Sequence, residues 1–149
     1  MKNKYLLLSK CIVNVMFVLG IPCTIAVPFF LKWYGRINSY YAGYFFPIQS
    51  VMFIIMGVFS CFILYELRTM LKTVEMEDCF VRSNVMSLDR MGWFSFIIAI
   101  VSAIRFTLYV TPGCFIVVAI FLVAGLFSKV LARVFEKAIE YKEDNDLTI

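Results

Sequence analysis

Three long stretches of this chain contain almost no charged residue, and they restrict the folds open to it. They cover residues 11–31, 37–65 and 91–128. The 21 residues of the first stretch extend about 31 Å as an α-helix, enough to cross the hydrocarbon core of a bilayer. With 62% of its 149 residues hydrophobic and 16% charged, the chain carries more apolar surface than a soluble domain of this size can bury. The sequence therefore predicts an all-α integral membrane protein.

The third stretch is too long for a single crossing, and Arg105 is its one charged residue. Near its middle, Thr111-Pro112-Gly113 has the proline and glycine of a tight turn. We therefore expect two helices there, and four transmembrane helices in an antiparallel up-down bundle overall. The predicted spans, within one domain covering residues 1–149, lie at about 11–31, 45–65, 90–109 and 114–128.

The basic residues predict how the chain is oriented. Four spans place both termini and the segment 66–90 on one side of the membrane. That side carries 11 of the 14 basic residues, and the other side carries only Lys32, Arg36 and Arg105. By the positive-inside rule, we expect the termini and the 66–90 loop to be cytoplasmic.

Apolar residues continue at helical spacing beyond two of the predicted spans. They are Leu67, Met70, Leu71 and Val74 after the second span, and Val130, Val134, Phe135, Ala138 and Ile139 after the fourth. We expect both helices to extend into the cytoplasm, the fourth as a C-terminal helix and tail over 129–149. Asp78 is the expected N-cap of the third helix.

The segment FVRSNVMSLDRMGW, residues 80–93, places an asparagine within an apolar stripe. Phe80, Asn84, Leu88 and Gly92 recur at every fourth position, which on a helix puts them close to one face. An amide on that face has to find hydrogen-bond partners. Either Asn84 bonds backbone carbonyls at the end of the second helix and locks the loop, or it contacts a ligand or partner. Gly92 is expected to allow close helix approach.

The chain closes on Asn145, Asp146, Leu147, Thr148 and Ile149. Two readings of this ending are open. The apolar side chains and terminal carboxylate could dock in a cytoplasmic groove near the 80–92 helix or bind a partner protein, or the terminus could be frayed and solvated.

Two of these motifs carry a family resemblance. The 80–93 segment, preceded by Glu77 and Asp78, and the ending KEDNDLTI resemble the domain-of-unknown-function 2975 family of small four-span bacterial membrane proteins. The family's phenylalanine, asparagine, leucine and glycine correspond to Phe80, Asn84, Leu88 and Gly92. The chain departs from the pattern with Cys79, where proline is common, and with Asp89, where a basic residue is common.

The resemblance implies a place for the protein and a kind of partner. It implies a protein of the bacterial cytoplasmic (inner) membrane. Genes of the family often sit beside one for a small helix-turn-helix repressor, which implies a membrane-bound partner or sensor for a DNA-binding protein.

Arg105 lies in the outer third of its predicted span, where a charge is costly and often functional. The sequence has no carboxylate on that side of the membrane to pair with it. Either the side chain extends to the lipid headgroups, or it binds an anionic lipid or small ligand. Such a site would include Lys32 and Arg36, with Tyr40 and Tyr41 beside them.

The remaining composition argues against catalysis. The chain has no histidine, and its five cysteines form no CxxC pair, so we expect no metal and no cofactor. We therefore expect a non-enzymatic interaction or sensor protein that regulates or tethers a cytoplasmic partner, such as a small helix-turn-helix regulator. Direct nucleic-acid binding is not expected, since the basic residues are mixed with acids. The alternative is a small carrier or channel, acting as a homo-oligomer.

Overall fold

The computed structural model describes residues 4–37, 46–76, 79–108 and 112–146, with the backbone alone for Phe46 and Asp146. Four α-helices make up nearly all of this part of the chain: α1 (Lys4–Ile37), α2 (Phe46–Glu75), α3 (Arg82–Leu108) and α4 (Pro112–Asp146). Each is long and apolar enough to cross a membrane, and the described ranges contain no strand. The predicted all-α fold with four membrane-spanning helices is confirmed.

The helices pack in chain order and in alternating directions. In the described ranges α1 packs on α2, α2 on α3 and α3 on α4, and no Cα atom of α1 comes within 8 Å of α3 or α4. Lys10 near the start of α1 pairs with Glu75 at the end of α2. Arg105 near the end of α3 contacts Cys114 near the start of α4. The arrangement is the predicted up-and-down order, with α2 and α3 in the middle. We call the end where α1 begins and α4 finishes the termini end.

All four helices continue beyond the predicted spans. At the termini end, α2 runs on to Glu75, α3 already begins at Arg82, and α4 runs on to Asp146. The apolar stripe at helical spacing explains these extensions, because a helix with such a stripe can pack outside the lipid as well as within it. Pro112 opens α4, where its missing N–H costs nothing. The expected N-cap Asp78 lies outside the described residues.

The interface between α3 and α4 is built from small side chains. The buried residues of α3 face α4 and also α2, to which Asn84, Ser87 and Ser102 make side-chain contacts. They are Asn84, Ser87, Leu88, Gly92, Ser95, Ile98, Ala99 and Ser102. Buried on α4 are Cys114, Gly125, Ser128, Ala132 and Ile139. Small residues let two helix backbones approach closely, which is how helices associate in lipid. Many large apolar side chains are exposed instead, as suits contact with lipid chains.

Glycines mark the closest approaches between helices. A Cβ atom added at Gly57 on α2 would lie 2.7 Å from the Thr24 side chain of α1. One added at Gly125 on α4 would lie 2.8 Å from the Phe96 ring of α3. The Thr24 side chain has little freedom to move, because it is β-branched and its hydroxyl donates to the Gly20 carbonyl at 2.8 Å.

Gly57→Ala is expected to destabilise the packing of α1 on α2. The added methyl group overlaps the rigid Thr24 side chain, and overpacking of this kind costs about 1–3 kcal/mol. Thermal unfolding of the detergent-solubilised protein measures the change. Gly113→Ala is the matched control, since nothing lies within 4 Å of a Cβ atom there. A Gly57→Ala protein as stable as Gly113→Ala would contradict the close packing of α1 and α2.

Candidate functional site

Asn84 ties three parts of the chain together at the termini end. It lies in the first turn of α3 and is 1% exposed. Its Nδ2 donates to the Cys79 carbonyl at 2.8 Å, and its Oδ1 lies 2.9 Å from the Thr73 hydroxyl of α2. The backbone N–H of Asn84 donates to the Val81 carbonyl. The side chain thus joins α2, the α2–α3 connection and α3.

The partners of Asn84 differ in part from those expected. The sequence reading placed them among the backbone carbonyls at the end of α2. The carbonyl instead belongs to Cys79 in the connection, and α2 contributes a hydroxyl. The Cys79 carbonyl, five residues before Asn84 in the chain, lies within hydrogen-bond reach of the amide. Both polar atoms of Asn84 are engaged within the chain.

Glu66 forms a second buried link between α2 and α3, which the sequence reading missed. Its side chain is 8% exposed. Ser87 Oγ donates to one carboxylate oxygen at 2.7 Å, and Arg90 Nη1 donates to the other at 3.1 Å. A buried carboxylate is tolerated when it is paired and hydrogen-bonded in this way. The sequence did contain a signal for this ion pair. Glu66 directly follows one apolar stretch and Arg90 directly precedes the next, and antiparallel spans bring these two positions to the same depth.

The predicted residues Leu88 and Gly92 lie at the contact of α3 with α4. The Leu88 carbonyl accepts a hydrogen bond from Ser128 Oγ at 2.9 Å. Gly92 leaves room for the alkyl chain of Lys129, whose Cγ would lie 3.0 Å from an added Cβ atom. The Lys129 ammonium pairs with Asp89 and lies 4.6 Å from the centre of the Trp93 ring. Leu88 and Gly92 therefore both serve the packing of α3 on α4.

Phe80 precedes α3 rather than standing on it. The sequence reading placed it on the same helix as Asn84, but α3 begins at Arg82. Its ring lies 5.3 Å from that of Phe135 on α4. Arg82 pairs with Glu143 at 3.2 Å, so the connection and the start of α3 are both held against the end of α4.

A groove follows the seam between α3 and α4 at the termini end, and we call it the α3–α4 groove. It consists of two adjoining cavities of about 330 and 340 Å³. Its apolar lining residues are Val85, Met86, Ala132 and Ile139, and its charged lining residues are Arg82, Asp89, Arg90, Arg133, Glu136 and Glu140. Met86 is 52% exposed. An apolar floor with a charged rim suits the apolar face of a docking helix.

The predicted docking residues of the tail are only partly described. Asn145 lies exposed in the last turn of α4, and α4 ends at Asp146. Leu147 and Ile149 lie outside the described residues. Docking of the tail stays a prediction.

Arg105 points into the protein, between α2 and α4. Its Nη1 lies 2.9 Å from Cys114 Sγ, and its guanidinium lies 4.2 Å from the centre of the Phe53 ring. Its Nε is buried and has no hydrogen-bond partner among the described residues. Contact with an aromatic ring and a thiol lowers the cost of keeping the guanidinium away from water.

The other predicted members of the Arg105 site are not packed against it. Lys32 and Arg36 are exposed on α1, and in the described ranges α1 makes no contact with α3. Tyr40 and Tyr41 lie outside those ranges. Among the described residues no group of three side chains could hold a metal ion. Most of the polar contacts between helices that the structure describes lie at the termini end instead.

Asn84→Ala is expected to lower the free energy of unfolding by about 1–3 kcal/mol, because the Cys79 carbonyl loses its buried donor. Thr73→Val removes the facing hydroxyl while keeping the side-chain shape. The double variant is expected to be less destabilised than the sum of the two single variants, with a coupling of about 0.5–3 kcal/mol. Denaturant unfolding in detergent gives all three values.

Ser83→Ala is the matched control, since Ser83 neighbours Asn84 but is exposed. It should leave stability within about 0.5 kcal/mol of the parent. Strict additivity of the Asn84 and Thr73 variants would show that the two side chains do not interact.

Comparison with known proteins identifies a family but no characterised relative. The model of a family described as "Protein of unknown function (DUF2975)" matches residues 27–149. No curated protein and no solved structure matches the chain. The matched range contains α2, α3, α4 and both motifs on which the resemblance was based. The chain therefore belongs to the DUF2975 family, as its 80–93 segment and its ending predicted.

Proposed function

We propose that this multi-pass membrane protein is a non-enzymatic interaction protein that holds or senses a state at the membrane and passes it to a cytoplasmic partner. The termini end is the partner-binding end and faces the cytoplasm. The positive-inside rule supports this orientation, because 11 of the 14 basic residues lie in the two terminal segments and in the 66–90 segment.

The α3–α4 groove is the observation that carries the proposal. It lies at the termini end, where α3 and α4 extend beyond the predicted spans, and Met86 on its floor is exposed. In water an exposed apolar floor is unfavourable, so a protein surface that covers it gains free energy. A lipid tail does not reach this part of α3 and α4 if the spans end near residues 90 and 128.

The chemistry of the groove specifies the kind of partner. Its rim carries charges of both signs on both helices, with Arg82 and Asp89 on α3 and Arg133 and Glu136 on α4. An amphipathic helix with apolar residues three and four positions apart and charges of both signs on its flanks fits such a groove. The exposed helices of a small helix-turn-helix regulator have this character, and such a regulator is the partner we propose.

Asn84 connects this groove with the membrane. The groove residues Val85 and Met86 directly follow Asn84 on α3. The bonds of Asn84 to Thr73 and Cys79 fix the first turn of α3 against α2. Because α3 is one continuous helix from Arg82 to Leu108, a shift within the membrane changes the position of the groove. The bistable element is the α2–α3 connection together with the end of α4.

Met86→Glu is expected to weaken binding of the partner by at least about ten-fold, because it places a charge on the apolar floor. The detergent-solubilised protein is co-expressed and co-purified with a candidate helix-turn-helix regulator. Met76→Glu is the matched control: Met76 is a second exposed methionine at the same end, and it does not line the groove. Equal binding by both variants would reject the groove as the docking site.

Asn84→Ala and removal of residues 146–149 are each expected to weaken partner binding while the protein stays in the membrane. The first change frees the start of α3, and the second removes the ending that could contact the partner. Membrane fractionation serves as the control for insertion. Undiminished co-purification with both changes, or the lack of a regulator that binds the parent protein, would defeat the proposed function.

A further inference from the structure

A second groove lies on α2, between α1 and α3, and we call it the α1–α2–α3 groove. It exists because α1 and α3 both pack on α2, whereas in the described ranges no Cα atom of α1 lies within 8 Å of α3. Its volume is about 430 Å³, and its lining residues are Phe17, Ile21, Cys61, Phe62, Tyr65, Glu66, Arg90 and Phe94. Apart from Glu66 and Arg90, the lining belongs to the apolar stretches that cross the membrane. The groove is thus a membrane-facing surface with a polar end.

One guanidinium group lines the polar end, and a second lies against an aromatic ring that lines the groove. Arg90 uses Nη1 to pair with Glu66, and its side chain is 58% exposed, which leaves further N–H donors available. Arg68 does not line the groove, but its guanidinium lies 5.8 Å from the centre of the ring of Phe17, which does. Arg68 forms no ion pair with the residues that the structure describes. The groove therefore combines an apolar length with a cationic end.

We propose that the α1–α2–α3 groove binds one acidic phospholipid. An acyl chain lies along Phe17, Phe62 and Phe94, and the phosphate meets Arg68 and Arg90. Guanidinium groups match the geometry of phosphate oxygens and bind them with strong, charge-assisted hydrogen bonds. The cationic end is the termini end, where the expected cytoplasmic leaflet supplies acidic headgroups.

A second copy of the chain fits this groove less well than a lipid does. None of the three apolar stretches contains a carboxylate. The acids that another copy would bring to the depth of Arg90 are Glu66 and Asp89, and each is already paired within its own chain. Its helix would therefore cover the guanidinium groups without adding a free carboxylate. A phosphate at the membrane boundary pairs them and stays hydrated. The lipid site does not depend on the protein partner proposed for the α3–α4 groove.

Native mass spectrometry of protein exposed to equal amounts of phosphatidylglycerol and phosphatidylcholine tests the charge requirement. The parent protein is expected to retain one phosphatidylglycerol in preference to phosphatidylcholine. Arg68→Gln should lower that preference about ten-fold, as expected for loss of a charge-assisted hydrogen bond. Arg133→Gln is the matched control, since Arg133 is exposed at the same end but lies on α4, whereas Arg68 contacts the groove residue Phe17. Equal effects of the two changes would mean that only general surface charge is involved, which contradicts a site.

A second pair of variants tests the groove itself without changing charge. Ile21→Trp fills the groove and is expected to abolish retention of the lipid. Leu19→Trp adds the same side chain on the opposite face of α1, at a position that does not line the groove, and should retain it. Equal retention of the two lipids by the parent protein overturns the proposal. So does efficient cross-linking of two Ile21→Cys chains with no lipid retained, which would assign the groove to a second copy.

Discussion

Water is absent from the core of a bilayer, so turning an apolar side chain inward gains almost nothing there. The helices of this protein are therefore held by close backbone approach and by a few buried hydrogen bonds. Gly57 and Gly125 permit the close approach. Ser128 bonds the Leu88 carbonyl across the α3–α4 seam, and Glu66 and Asn84 join α2 to α3. The positions of these contacts along the helices decide where the two grooves lie.

Most of the bonds between helices lie at the termini end, and that end carries both grooves. The α3–α4 seam is closely packed there, so its groove has a firm floor on which a protein can dock. Among the described helices α1 packs on α2, and the second groove lies open between α1 and α3. Arg90 lines both grooves and is anchored by Glu66. A lipid phosphate on one side and a protein on the other would share this guanidinium, which gives the two proposed sites a physical connection.

The number, order and direction of the helices could be predicted, because each helix must cross the membrane by itself and its apolar length is a local property. Burial of Asn84 could also be predicted, from its place in an apolar stripe. Its partners could not, since they depend on how Cys79 and Thr73 are placed around the amide in the folded chain. The bond between Glu66 and Arg90 joins positions 24 residues apart, and it depends on the register of α2 against α3. The spacing of residues in the sequence does not determine that register.

Arg105 likewise separates what the sequence predicts from what depends on the packing of the helices. The sequence by itself determined that a cation sits within a span, with no carboxylate on that side of the membrane, and that the chain forms four antiparallel helices of the DUF2975 family. Only the tertiary structure decided that Arg105 turns inward to Phe53 and Cys114, away from Lys32 and Arg36. It alone decided which helices touch, and hence where the two grooves lie. The physical reason is that crossing the bilayer is required of each helix separately, whereas contacts between helices depend on how small side chains fit across two of them.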